Sequence, residues 1–208
     1  MEQDTGQKEN FQQEANSILN KGNQRSGFFR VLGHEIWEFL KIVIVSLIIV
    51  LPIRMFVAQP FIVRGASMEP NFEDGEYLIV DELSYLLRKP ERGEVIVFRY
   101  PEDPSQFFIK RIIGLPRETV VIENGSVRIQ DATGGNGFAL DESYLSDTVV
   151  TAPDSTVTLE AEEYFVMGDN RMESSDSRRW GTLENDLLIG RALLRLWPLS
   201  ELGIITSK

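Results

Sequence analysis

Two short stretches carry residues with the chemistry of a nucleophile and a base. "RGASMEP", Arg64 to Pro70, offers Ser67 with Gly65 and Ala66 leaving space before it and Pro70 turning the chain soon after. "FFIKRIIG", Phe107 to Gly114, places Lys110 inside an apolar run. Beyond residue 57 the chain has three lysines, Lys89, Lys110 and Lys208, and one of them stands between Phe108 and Ile112. The sequence contains no cysteine, and its single histidine is His34, upstream of a long apolar run. Thiol catalysis, disulfides, iron–sulfur clusters and cysteine-based zinc sites are therefore excluded, and the downstream region cannot build a Ser-His-Asp triad or a histidine metal site by itself. Its chemistry falls to Ser, Thr, Lys, Tyr, Arg or carboxylates.

In a strand, alternate residues share a face, so Lys110 goes with Phe108 and Ile112, and Arg111 with Ile109 and Ile113. Two readings of that lysine follow. It can be a gatekeeper on an edge strand, blocking unwanted pairing. It can also be a desolvated amine, whose pKa burial lowers, by up to ~3–5 units when burial is complete. A neutral amine near physiological pH accepts a proton, which arginine cannot, and so replaces the missing histidine as a general base. A third stretch, "MGDNRMESSDSRRWG" from Met167 to Gly181, sets Arg171, Arg178 and Arg179 among Asp169, Asp176 and small hydroxyls. It reads as an ordered network of charge-assisted pairs, which fix geometry well.

The elements that must position these residues are short. After Pro60 come β-like runs separated by Gly, Pro, Asn and Asp: "PFIVRG", "EYLIVDE", "EVIVFRYP", "FFIKRIIGLP", "TVVIENGSVRI", "STVTLE", "EYFVMGDN" and "LLIGRALLRLWP". This cadence predicts a mainly β domain over residues 58–208. Asn124 and Gly125 predict a hairpin turn between alternating strands, "SYLLRK" a short helix or turn, and residues 131–156 a loop or small cap. Upstream, "IVIVSLIIVLPI" runs uncharged from Ile42 to Ile53 between Lys41 and Arg54, and apolar residues continue on both sides. Two readings are open, a buried core helix and a membrane anchor over 30–57 with its span at about 37–57. Lys41 and Arg54 can snorkel to the two surfaces, and the basic residues before the run place the N-terminus in the cytoplasm. Residues 1–29 are polar and read as a disordered cytoplasmic tail. The net charge of −11 comes entirely from residues 58–208, with fifteen Lys/Arg against twenty-six Asp/Glu, which is a poor surface for nucleic acid.

Taken in order, the apolar run, "GASMEP", "RGEVIVFRYP", "FFIKRIIGLP", "YFVMGDNRMESSDSRRWG" and "LIGRA" resemble a type I signal peptidase, the membrane-anchored Ser/Lys enzyme of family S26. The likeness covers roughly residues 37–197. It implies a coiled antiparallel β-sheet domain with an N-terminal transmembrane helix. It makes Ser67 the nucleophile and Lys110 the general base, with Ser174 hydrogen-bonding the amine and Asp169, Arg171, Asp176 and Arg178 bracing the site. Some members carry a serine where this chain has Gly65, so the oxyanion hole is expected to rest on backbone N–H groups, including that of Ser67. Met172 and Glu173 stand where Asp and Asn are more usual.

The same resemblance implies the substrate and the setting. The substrate is the signal peptide of an exported preprotein, held as an added β-strand with small residues before the cut. Phe61, Ile62, Val63 and Ile109 are the candidates for its pocket. No cofactor and no metal are called for, and the partners are signal peptides and the lipid bilayer. A self-cleaving repressor-type Ser/Lys peptidase shares the chemistry but carries a DNA-binding helix-turn-helix, where this chain has an apolar run. A membrane-tethered binding module would leave Ser67 as a turn residue and Lys110 as an edge gatekeeper.

Overall fold

Strands form where β-branched and aromatic residues alternate between Gly, Pro and Asn breakers, as that cadence predicts. The computed structural model describes residues 36–50, 59–131, 135, 137–146 and 148–206. The chain divides into two units, Met1–Pro52 and Ile53–Lys208. In the first, helix α1 spans 36–50 and exposes large apolar side chains, among them Phe39, Ile42, Ile48 and Ile49. Glu38 accepts from Lys41 one turn on, at 2.7 Å. Fifteen helical residues rise about 22 Å. Among the described residues no helix is long and apolar enough to cross a membrane. The expected tail, 1–29, and the far part of the expected span, 51–57, lie outside the described residues.

In the second unit, strands β1 (Gln59–Ile62), β2 (Tyr77–Asp81), β3 (Val95–Tyr100) and β4 (Asp103–Gly114) are followed by β5 (Thr119–Glu123) and β6 (Ser126–Gln130). Then come β7 (Phe138–Ala139), β8 (Ser155–Thr158), β9 (Glu163–Met167), β10 (Leu183–Glu184), β11 (Leu188–Trp197) and β12 (Gly203–Ile204). Helices α2 (Ser84–Leu87) and α3 (Ser177–Trp180) are single turns. The larger sheet is antiparallel in the order β1-β2-β11-β3-β4-β9-β10, with β12 paired to β11. The smaller runs β7-β6-β5-β8. The predicted hairpin is present: Glu123 pairs Ser126, and Asn124 and Gly125 take φ of 52° and 80° between them. That hairpin, starting at Thr119, supplies the central strands of the smaller sheet, and residues 131–156 contribute β7 and the start of β8.

The larger sheet coils. Laid flat, its first and fifth strands would stand about 19 Å apart. Yet Phe61 of β1 meets Phe107 of β4 edge to face, with centroids 5.6 Å apart. One buried cluster also joins Val63, Leu78, Val97, Ile109 and Ala192. Register shifts in β11, between Ala192 and Leu194 and between Arg195 and Trp197, supply local bends. A second cluster, with Ile113, Phe165 and Met167 against Val120, Ile122, Val127 and Ile129, seats the smaller sheet on β4 and β9. A third packs Ile96, Phe98 and Ile112 against Tyr164, Val166 and Leu183.

Gly190 lets β11 close on β2, since a Cβ there would stand 2.5 Å from the Asp81 carbonyl oxygen. Gly190→Ala is expected to destabilise the protein by about 1–3 kcal/mol through overpacking against backbone. Urea unfolding of the full chain in detergent reads this as a lower midpoint, and an unchanged midpoint would contradict the packing.

Candidate active site

Ser67 lies in the turn that leaves β1. Gly65, at φ +82°, starts that turn, and its N–H donates to Asp74 Oδ1 at 2.7 Å. Met68, fully buried in the core, anchors it from below. Asn170 grips it from the loop after β9: its backbone N–H donates to the Ser67 carbonyl at 3.1 Å and its Nδ2 to the Ala66 carbonyl at 3.1 Å. Gly168 permits this approach, because a Cβ there would run into the Ser67 carbonyl and the Ser174 side chain. Among the described residues the Ser67 N–H has no acceptor, so it is available to an incoming oxygen.

Lys110 comes from the middle of β4, opposite Ile96 of β3 and between Phe108 and Ile112 on its face. β4 is paired with β3 on one side and β9 takes up its other side from Arg111 onward, so it is the burial of the Lys110 side chain that rules out the edge-gatekeeper reading. The lysine is 3 % exposed. Its Nζ lies 2.7 Å from Ser67 Oγ and donates to the Ile109 carbonyl at 2.8 Å. Burial lowers its pKa to about 8, working against Asp176 and Asp169, which favour the ammonium. An amine that sheds its proton near pH 8, within hydrogen-bond reach of an alcohol, can take the alcohol's proton as it attacks a carbonyl.

Both aspartates are occupied by arginines. Arg111 binds Asp169 through Nε at 2.8 Å and Nη2 at 2.6 Å, and its Nη1 donates to the Gly93 carbonyl at 2.9 Å. Arg178 binds Asp176 through Nε at 2.8 Å and Nη2 at 2.7 Å, and the Gly168 N–H adds a third donor at 3.0 Å. Burial works to raise the Asp176 carboxyl, but Arg178 and the Gly168 N–H outweigh it and hold it below the ordinary value. Arg171 is buried among Glu142, Thr151 and the Tyr144 hydroxyl, and its Nε donates to the Gly168 carbonyl at 3.1 Å.

Ser174 is buried beside these groups, but its Oγ makes no hydrogen bond in this structure. It stands near Asp176 without bonding geometry, and the expected bond to the lysine amine is not formed. Asn71, which sequence reasoning passes over, joins the nucleophile turn to the network: its Nδ2 donates to Asp169 Oδ2 and to the Tyr144 carbonyl, both at 2.9 Å. An asparagine after a proline gives no local signal of that reach.

A cleft of about 420 Å³ ends at Ser67 and Lys110, and all four predicted pocket residues, Phe61, Ile62, Val63 and Ile109, line it. Leu78 and Val97 also line it and were missed, since their approach depends on the coiling of the sheet. Two strand edges border it. Among the described residues β1 pairs only with β2, and β4 before Arg111 pairs only with β3. Val63 exchanges backbone bonds with Glu76 and Gly75, and Ile112 with Glu94 and Gly93. By alternation, the backbone groups of Ile62 and Arg64, and those of Phe107 and Ile109, point to the free edges.

Comparison with known proteins places this geometry. Residues 36–197 match the signal peptidase family, peptidase S26. The signal peptidase I of Leptolyngbya laminosa is 39% identical over 176 residues, covering 80% of this chain and 82% of that protein. Signal peptidase IB of Staphylococcus aureus strain COL is 30% identical over 185 residues, covering 80% of this chain and 92% of that protein. A crystal structure of a signal peptidase I from Enterococcus faecalis V583 is 31% identical with a TM-score of 0.42, covering 50% of this chain and 97% of that one. The chain belongs to the signal peptidase family, peptidase S26.

Holding Lys110 in a dry site costs stability. Its pKa falls from 10.5 to about 8, which amounts to about 3 kcal/mol. That penalty is whole below pH 8, where folded and unfolded chains both carry the proton. It shrinks as pH rises from about 8 to 10.5, where only the unfolded chain binds it. Lys110→Met is therefore expected to be more stable than wild type at pH 7 by about 1–3 kcal/mol, the lost bond to Ile109 offsetting part of the gain. Urea unfolding at pH 7 and pH 10 checks this: the advantage must narrow at the higher pH, and a less stable variant would contradict it.

Proposed function

We infer that this chain is a serine endopeptidase that removes N-terminal signal peptides from exported preproteins, with Ser67 as nucleophile and Lys110 as general base. The observation that carries the assignment is the 2.7 Å contact between Lys110 Nζ and Ser67 Oγ, formed by an amine buried against an apolar strand. Membership of the signal peptidase family supports the substrate class. Ser67 Oγ attacks the scissile carbonyl while its proton passes to Lys110 Nζ. The tetrahedral oxyanion is held by backbone N–H groups, that of Ser67 among them. Lys110 then gives the proton to the leaving amine, an acyl-enzyme remains, and a water deprotonated by the same amine releases the signal peptide.

The free edges of β1 and β4 support binding of the substrate as an extended strand, with backbone bonds from Ile62, Arg64, Phe107 and Ile109. Phe61, Ile62, Val63 and Ile109 form its shallow pocket walls. Asp169, Arg171, Asp176 and Arg178 hold the loop that grips Ser67, and Ser174, buried in the same loop, is the residue assigned to orient the amine. The anchor is the apolar segment at about 37–57, with the N-terminus in the cytoplasm and the catalytic domain on the other side of the membrane. The exposed apolar side chains of α1 support that placement. An anchor confines enzyme and signal peptide to one surface and so raises their effective concentration.

Incubation of the purified full chain with a preprotein tests the assignment. Wild type is expected to cleave after a small residue, and Ser67→Ala and Lys110→Met to lose at least about 10³-fold in kcat/KM, as removal of a nucleophile or base does. Because the amine must be neutral to act, kcat/KM should rise with pH through a midpoint near 8. Persistent cleavage by Lys110→Met would remove the mechanism.

A further inference from the structure

Three ionisable side chains line the cleft: Lys110, Arg64 and Glu173. Lys110 is held by Ser67 and Ile109, and Arg64 follows β1. Glu173 is the sole carboxylate of that lining, and it is exposed. Its backbone is fixed, since its N–H donates to the Asn170 carbonyl at 3.2 Å and lies 3.3 Å from Asn170 Oδ1, while Asn170 itself holds the Ser67 carbonyl. Among the described residues its carboxylate has neither an ion-pair nor a hydrogen-bond partner. Glu173 thus lines the cleft, close in the chain to the group that holds Ser67, with a carboxylate that no described residue engages.

We propose that Glu173 is a specificity-determining residue that selects for a cationic side chain, and against an acidic one, in the first two residues of the mature chain after the cut. This rests on the peptidase reading above. The apolar lining comes from β1, β2, β3 and the part of β4 before Lys110, and it ends beside Ser67, where the small residues before the cut would lie. The loop over 168–176 meets Ser67 through Asn170 and brings Glu173 to the same cleft, within reach of the chain just beyond the cut. Walls formed by Phe61, Val63, Leu78, Val97 and Ile109 lower the local dielectric and strengthen the field of the one carboxylate in a lining that also holds Arg64 and Lys110. Lysine and arginine gain from that field, and aspartate and glutamate are repelled by it, so attraction and repulsion act together.

The test is a preprotein series identical except for Lys, Gln or Glu at the first or second position after the cut. It is cleaved by wild type, Glu173→Gln, Glu173→Lys and, as a remote control, Glu160→Gln. Wild type is expected to prefer Lys over Glu by about 3- to 10-fold in kcat/KM at one of the two positions, the range for a partly screened charge pair in a cleft. Glu173→Gln should bring the ratio within about 2-fold, Glu173→Lys should invert it, and Glu160→Gln should keep it, as expected for a local charge effect. In 0.5 M salt, chosen because the screening length then falls to about 4 Å, the wild-type preference should shrink. A wild type indifferent to the series, or a preference that survives in Glu173→Gln, would overturn the proposal. The Gln substrates separate this from the underlying reading: their cleavage by wild type and not by Ser67→Ala upholds the peptidase whatever the charge ratios are. No cleavage of any substrate would overturn the peptidase reading and the proposal with it.

Discussion

Everything in this molecule answers to one constraint, a lysine amine kept dry within 2.7 Å of a serine hydroxyl. Water would restore the amine's ordinary basicity and leave it protonated at neutral pH, unable to accept anything. The sheet solves this by setting Lys110 opposite Ile96 and between Phe108 and Ile112, in a strand paired with β3 there and joined by β9 from the next residue onward. The coil of the same sheet brings β1, and with it the turn bearing Ser67, to the amine.

The dryness creates a second problem. Asp169 and Asp176 both favour the ammonium form of Lys110, and a bare buried carboxylate would hold the proton there. Each is instead taken up by an arginine in a two-point pair, Arg111 with Asp169 and Arg178 with Asp176. The pairs offset the carboxylate field at the amine and fix the loop after β9 as well. That loop then positions Ser67 through Asn170, while Asn71 ties the serine turn back to Asp169. Arg171 extends the tie to Glu142, Tyr144 and Thr151 of the connection between β7 and β8. The connection between β7 and β8 is thus bonded to the loop after β9 through Arg171, while the smaller sheet packs on β4 and β9 by its apolar face.

Much of this was legible in the chain. The odd lysine in "FFIKRIIG" was the candidate base because alternation placed it among Phe108 and Ile112 and the lack of any downstream histidine left few other bases, although alternation alone also allowed a gatekeeper. The Asn124 and Gly125 turn was legible because few residue pairs adopt two successive positive φ values. The arginine-rich stretch announced a network, although the partners within it did not follow from spacing. Strand order was not legible: β11 inserts between β2 and β3 from more than ninety residues away, and no local pattern encodes that pairing. The same distance hid Leu78 and Val97 from the pocket and Asn71 from the network. The gatekeeper reading of Lys110 failed because the coiled sheet buries its side chain against the Ser67 turn, which alternation along β4 does not reveal.

The most direct measurement of the central claim is an NMR titration of the Lys110 side chain in the full protein in micelles, using labelled lysine. The chain contains six lysines, so the resonance can be assigned by its loss in Lys110→Met. A Lys110 amine that titrates near pH 8 while the other lysines titrate close to 10.5 is the result this account predicts. A Lys110 that titrates with the others would contradict it, because an amine of ordinary basicity leaves too small a neutral fraction at neutral pH to take the proton of Ser67.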